Sequence, residues 1–150
     1  MAENKMEVIL KRIDDDFHFE GIGSSNVPVH IDAAEGIGGH NAGARPMELL
    51  LMGLGGCMAI DVILILKKQR QSIEDFEIRI SGNREKIEGT EKTPFKEINI
   101  EFQLKGNIDG KKALKAIQLS MEKYCSATAQ LETSAIITHT LVLNSTQFIA

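Results

Sequence analysis

Two residues of this chain carry side chains suited to covalent redox chemistry at neutral pH, Cys57 and Cys125. A thiolate attacks peroxide oxygen and leaves a sulfenic acid, which a neighbouring thiol converts to a disulfide before further oxidation. The long stretch of chain between them neither supports nor excludes contact. Composition alone favours a plainer reading, two inert thiols in a core, because free cysteine is among the most buried residue types. Cys57 follows Pro46 by eleven residues within an apolar run, about three turns into any helix begun there and beyond the reach of its N-terminal dipole. Asp61 lies one turn further on the same face, and an unpaired carboxylate there opposes a thiolate. A cation from elsewhere must then do the activating. Cys125 is better served, since Ser126 is a residue type that caps helix starts.

Other chemistry is poorly represented. His18, His30, His40 and His139 are spread along the chain with no two at ligand spacing, and the cysteines lack a C-x-x-C pattern, so no metal site is predicted. His139, among apolar and threonine residues, reads as a hydrogen-bonded strand residue, and His40 as a solvated loop residue. The glycines between 36 and 43 lack the strand-before, helix-after setting of a dinucleotide fingerprint, so no cofactor is predicted.

The elements that must position these side chains are legible in outline. Residues 46–70 (PMELLLMGLGGCMAIDVILILKKQR) predict one long helix: proline suits a first turn, and Lys67, Lys68 and Arg70 suit the carbonyl end. It is apolar almost all round, with Gly53, Gly55 and Gly56 permitting close approach, and such a helix belongs at the centre of a core. Glu48 and Asp61 interrupt the run of about 20 apolar residues that a membrane span needs. Before it, residues 6–13 and 17–22 predict a hairpin about Asp14, Asp15 and Asp16, with a third strand at Val27 to Ile31. Residues 33–45 hold four glycines and predict a surface loop, functional or mobile. After the helix, alternation predicts strands at 74–82 and 95–104. A helix then follows Asp109 and Gly110, a further turn or two covers 124–131, and a last strand runs from Ala135 to Leu143. The order is that of an α+β fold with antiparallel sheets. One copy leaves the oily helix covered on too few sides, so burial by a second copy, a homodimer, is the economical solution.

Bulk properties bound the setting. At 150 residues the chain fits a single domain, 1–150. A net charge of −4 provides no basic field for phosphate backbones or anionic lipid, which argues against nucleic acid and membrane as partners. Residues 1–12 mix charges among apolar positions and do not read as a secretory signal, so a cytoplasmic location is expected. Two cysteines in a reducing compartment are better suited to a free or transient redox role than to a permanent staple.

Taken in order, PMELLLMGLGGCMAIDV, EKYCSATAQLE and the closing ITHT strand resemble the OsmC/Ohr superfamily of thiol peroxidases, over about the whole chain and most closely its OsmC-like, YhfA-type branch. The resemblance implies an OsmC-like fold in which antiparallel sheets wrap long buried central helices of an intertwined homodimer, with active sites at the subunit interface. It implies a peroxiredoxin-like oxidoreductase in which Cys57 attacks an organic hydroperoxide, Cys125 resolves the sulfenic acid, and an external dithiol, lipoyl-type by analogy, restores the pair. The family's activating arginine comes from the N-terminal sheet, which points to Arg12, with Arg45 nearest the helix in sequence. A glutamate near the helix start orients it, and here the chain departs from the pattern. Counting back from Cys57, that position is Met47, and the carboxylate sits at Glu48. One residue turns a helix by about 100°, so Glu48 faces away from Cys57 and reads equally as a first-turn acid. The alternative reading is a non-catalytic dimer whose interface cleft binds a small apolar ligand or senses oxidants. Met47, Met52 and Met58 suit the lining of either kind of pocket.

Overall fold

In the computed structural model, which describes residues 5–149, the chain divides into two units after Leu50. The first holds an antiparallel sheet in the order β1 (Ile9–Arg12), β2 (Phe19–Ile22), β3 (Val29–Ile31), with Arg12 opposite Phe19 and Phe19 opposite Ile31. The acidic run makes the turn. The Asp14 carboxylate accepts the N–H groups of Asp16 (2.9 Å) and His18 (3.0 Å), an aspartate turn that takes the place of ladder bonds. Strands are shorter than the alternation predicts, and Val8, Ile9, Leu10 and Val29 remain exposed.

Residues 33–45 form a tightly built loop. Asp32, only 1% exposed, accepts the N–H groups of Ala33 (2.8 Å), His40 (2.9 Å) and Ala42 (3.1 Å). These bonds, that from His40 foremost, hold its carboxyl below the usual range. Gly39 and Gly43 lie so close to the backbone of Ala33 and His30 that no side chain fits at either position. His40 Nε2 meets Asp16 Oδ2 at 2.7 Å, which ties the loop to the β1–β2 turn.

Helix α1 spans Pro46–Lys68. It ends two residues before the expected boundary because Arg70 takes a left-handed conformation, φ 57°, and Gln71 N–H closes onto Leu66 O at 2.9 Å. By length and mean hydropathy, 2.4 over its most apolar window, α1 is long and apolar enough to cross a membrane. Composition therefore does not exclude a span, as the sequence suggested it would. Packing marks it as a core helix of its unit: Leu54, Met58, Val62 and Leu66 have no exposed surface. Burial all round was expected. Within one chain only this stripe is covered, while Met52 (56%), Ile60 (62%) and Leu64 (54%) are exposed on another face.

The second unit's sheet runs β4 (Ser72–Arg84), β5 (Phe95–Asn107), β6 (Ile136–Leu143), β7 (Thr146–Phe148). Strand β5 pairs antiparallel with β4, Ile80 opposite Ile100, and parallel with β6, Ile100 opposite His139. This sheet is thus mixed where an antiparallel one was expected, because a parallel neighbour needs a long crossover. Helix α2 (Gly110–Leu119), a π-helical turn (Ser120–Tyr124) and α3 (Ser126–Leu131) make it. Ile98, Ile100, Phe102, Leu104 and Leu141 of the sheet, with Ala113, Ala116 and Ile117 of α2, form the core. Strand β7, not foreseen, returns from β6 through Asn144 and Ser145, both at positive φ, as a two-residue hairpin requires.

Candidate active site

Three local features bring the thiols together. Gly55 lets α1 lie directly on β4, since a methyl there would overlap Ile80 Cδ1. Gly53 and Gly56, also expected to allow close approach, face open space instead. Four residues after Cys57, Asp61 Oδ2 accepts the hydroxyl proton of Ser120 at 2.8 Å, and Ser120 is fully buried. Asp61 is therefore not the unpaired carboxylate the sequence left open. It fixes α1 to the π-helical turn, whose last bond runs from Cys125 N–H to Ser120 O at 2.7 Å. Insertions of this kind re-aim a chain at functional sites, and here the turn delivers Cys125.

Cys125 itself, rather than Ser126, caps α3. Its sulfur accepts the N–H of Thr128 at 3.3 Å, and Ser126 is the first helical residue. Both cysteines are free thiols, Cys125 buried and Cys57 half-buried. They are neighbours across the unit. Burial pushes the Cys125 thiol up, and the adjoining Cys57 side chain helps to hold the proton on it. The hydroxyl and N–H of Thr128 act in the opposite sense, favouring the thiolate. Sequence reasoning missed both Ser120 and Thr128. The signal for Thr128 was its position three residues after Cys125, the spacing of a cap and its donor.

The remaining candidates belong to the N-terminal unit. Arg12 donates from Nε to Asp16 O at 2.8 Å and from Nη2 to Asp15 O, so its guanidinium holds the β1–β2 turn. Arg45 donates from Nη2 to Asn41 Oδ1 at 2.9 Å, and its Nη1 lies 4.0 Å from Glu48 Oε1. Glu48 accepts the N–H of Arg45 at 2.8 Å, reaching back over the start of α1 as the acidic member of a capping box does. The first-turn role is thus occupied. Met47 is half-buried beside it.

Histidine positions differ from expectation in two respects. His139 Nδ1 is buried without a hydrogen-bond partner among the described residues, where a bonded strand histidine was expected, and burial depresses its pKa. His18 and His30, far apart in sequence, meet at 2.9 Å between ring nitrogens, and Asp14, Asp16 and His40 converge to within 4.8 Å. The β-pairing, invisible to sequence spacing, gathers them. This group is largely exposed, and Asp16 and His40 already pair with each other. Along α1, beyond the thiols, a cleft of about 400 Å³ is lined by Leu64, Ile65, Leu119 and Tyr124, with Asp61 and Lys68.

Comparison with known proteins places this arrangement. Residues 39–140 match the family model described as OsmC-like protein. Protein YhfA of Escherichia coli K12 is 41% identical over 97 residues, which cover 63% of this chain and 69% of YhfA. A hypothetical protein from Aquifex aeolicus VF5, solved by crystallography, superposes with a TM-score of 0.76 at 30% identity over 95% of this chain and 99% of that one. The organic hydroperoxide resistance protein OhrB of Bacillus subtilis superposes at 0.65 with 17% identity, over 91% and 97%. The α+β architecture, the paired elements about α1 and the matched span agree, and the chain belongs to the OsmC-like protein family.

Proposed function

We propose that the chain is a thiol peroxidase that reduces organic hydroperoxides through a Cys57–Cys125 disulfide cycle, working as a homodimer in the cytoplasm. The observation that carries this reading is the adjacency of two free thiols contributed by separate elements. The Cys57 thiolate takes the terminal oxygen of the hydroperoxide, the O–O bond breaks, and the departing alkoxide gains a proton to become the alcohol. Cys57 is then a sulfenic acid. Cys125 displaces its hydroxyl as water and forms the disulfide, and an external dithiol returns both sulfurs to thiols while being oxidised itself. Arg12 or Arg45 supplies the cation for Cys57. Membership in a superfamily that includes hydroperoxide resistance proteins supports the substrate class. The exposed apolar row on α1 supports the dimer.

One equivalent of tert-butyl hydroperoxide should yield a Cys57–Cys125 disulfide by peptide mass mapping, and turnover with a lipoyl-type dithiol should vanish in Cys57→Ser. If both thiols stay reduced while a hydroperoxide resistance protein reacts alongside, the reading is wrong. A second reading, a non-catalytic dimer that binds a small apolar ligand, draws on Met47 in place of the orienting glutamate and on the cleft along α1. Ligand binding with no hydroperoxide consumption would favour it.

A further inference from the structure

The hydroxyl of Thr128 is buried beside the Cys125 sulfur. Thr128 is 1% exposed, and its Oγ1 makes no hydrogen bond of ordinary geometry to the described residues. Orphaned buried hydroxyls are uncommon in native folds, and they call for an explanation such as a part in catalysis. A valine would fill the same space and leave no polar atom unpaired. The neighbour that matters is sulfur: Thr128 N–H points at Cys125 Sγ from 3.3 Å, and the hydroxyl stands close enough to the same sulfur to favour its thiolate. The thiol offers that hydroxyl only a weak acceptor, whereas a thiolate offers a full charge.

We propose that the Thr128 hydroxyl is the donor that stabilises Cys125 as a thiolate while it condenses with oxidised Cys57, making Thr128 a catalytic residue of the resolving step. The proposal rests on the two-cysteine reading above. In that step the Cys125 proton leaves, its thiolate attacks the sulfenic sulfur of Cys57, the S–S bond forms and the S–O bond breaks. The departing hydroxide takes up the proton as water. Cys125 is oxidised and the Cys57 sulfur reduced by the same amount. Burial keeps Cys125 protonated at rest, which protects it from direct oxidation, since the thiolate is the reactive form. A donor that engages only the charged form lets it react when Cys57–SOH is present. Because threonine is stiff at χ1, its hydroxyl is held in few positions and little freedom is lost on engagement.

Two measurements test this separately. In a Cys57→Ser background, where no peroxide chemistry is needed, the Cys125 ¹³Cβ shift is followed against pH. Thr128→Val should raise the thiol pKa by about one unit, a tenfold loss of thiolate, and Thr128→Ser should restore it. Unchanged titration in the valine variant overturns the proposal. With Cys57 intact, single-turnover mixing with tert-butyl hydroperoxide should show Cys57 sulfenic acid formed at the wild-type rate in Thr128→Val. Its condensation should be about tenfold slower, with more dimedone adduct trapped on Cys57 and near-normal behaviour in Thr128→Ser. Equal condensation rates in wild type and Thr128→Val also overturn it. A wild-type chain that forms no sulfenic acid removes the peroxidase reading, and the titration then decides the thiolate role.

Discussion

Ser120→Ala is the sharpest test of how the thiols are held together. The variant removes the hydroxyl that donates to Asp61 Oδ2 at 2.8 Å and leaves a half-buried carboxylate without its donor. Hydrogen bonds to charged groups contribute about 1.5–3 kcal/mol, and the partial exposure of Asp61 sets the expectation at the lower end, about 1.5 kcal/mol. For a chain of this size that lowers Tm by about 3–6 °C. The functional effect follows from the same bond. Ser120 O also receives Cys125 N–H, so loosening the π-helical turn frees Cys125 relative to Cys57. If the whole 1.5 kcal/mol restrained the reacting geometry, disulfide formation would slow by about tenfold, the ceiling set by 1.36 kcal/mol per decade. The assay is thermal unfolding and single-turnover disulfide formation in Ser120→Ala, Asp61→Ala and the double variant. Coupling should appear as a double variant little worse than either single one. Full additivity of the two losses, within about 0.5 kcal/mol, would show that the pair does not act as a unit and would refute the pin.

Gly55→Ala drives a methyl into Ile80 Cδ1, and overpacking of about 1–3 kcal/mol, offset by about 1 kcal/mol of helix propensity, should lower stability by about 0–2 kcal/mol in urea unfolding. His139 should make the fold acid-sensitive: burial holds its folded pKa below the ordinary histidine value of 6.5, so below that pH the unfolded chain binds a proton that the folded chain refuses. Stability therefore falls as pH drops through 6.5 toward the folded pKa, with a slope of up to about 1.4 kcal/mol per pH unit. His139→Gln should flatten that part of the pH–stability curve. Replacing the arginine that activates Cys57 with alanine should slow Cys57 alkylation at neutral pH while leaving the fold intact. Comparing Arg12→Ala with Arg45→Ala identifies it, and Glu48→Gln should cost only about 0.5–1 kcal/mol of helix capping. Ile60→Lys should convert the dimer to monomer in sedimentation at micromolar concentration, and a wild-type chain that sediments as a stable folded monomer refutes the dimer.

Much of the fold was legible because local chemistry and tertiary need agree. Pro46 and the lysines framed α1, alternation in Phe76–Ile80 and Ile98–Phe102 marked β4 and β5, and Asp109 announced α2, whose Lys112 N–H it accepts. What stayed hidden depends on partners distant in sequence. The parallel pairing of β6 with β5 has no local signature, nor does the π-helical turn, which reads as ordinary helix until Ser120 is tied to Asp61. The loop at 33–45 looked loose because its glycines suggest freedom, whereas Gly39 and Gly43 are there to let backbones touch. The candidate site was half legible. Both cysteines were singled out from residue type and resemblance, but Ser120 meets its partner Asp61 only through the crossover, and Thr128 went unread although its partner Cys125 lies three residues before it.

The position of Cys57 on α1 joins the question of chemistry to that of assembly. Gly53, Ile60 and Leu64 are its neighbours at helical spacing, four, three and seven residues away. Gly53, Ile60 and Leu64 belong to the face left uncovered within the chain, and Gly56 opens the same side. Cys57 thus stands at the border between the buried stripe and the open row. The glutamate that orients the activating arginine in the peroxidase branch is missing at Met47, and Glu48 is engaged with Arg45 and its N–H. A second copy laid on Gly53, Gly56, Ile60 and Leu64 would dry the border at which Cys57 lies, strengthening every charge interaction the thiolate makes. Activation of Cys57 and closure of the apolar row are then one event, so a variant that stays monomeric should keep its Cys57–Cys125 contact yet lose the reactivity that contact serves.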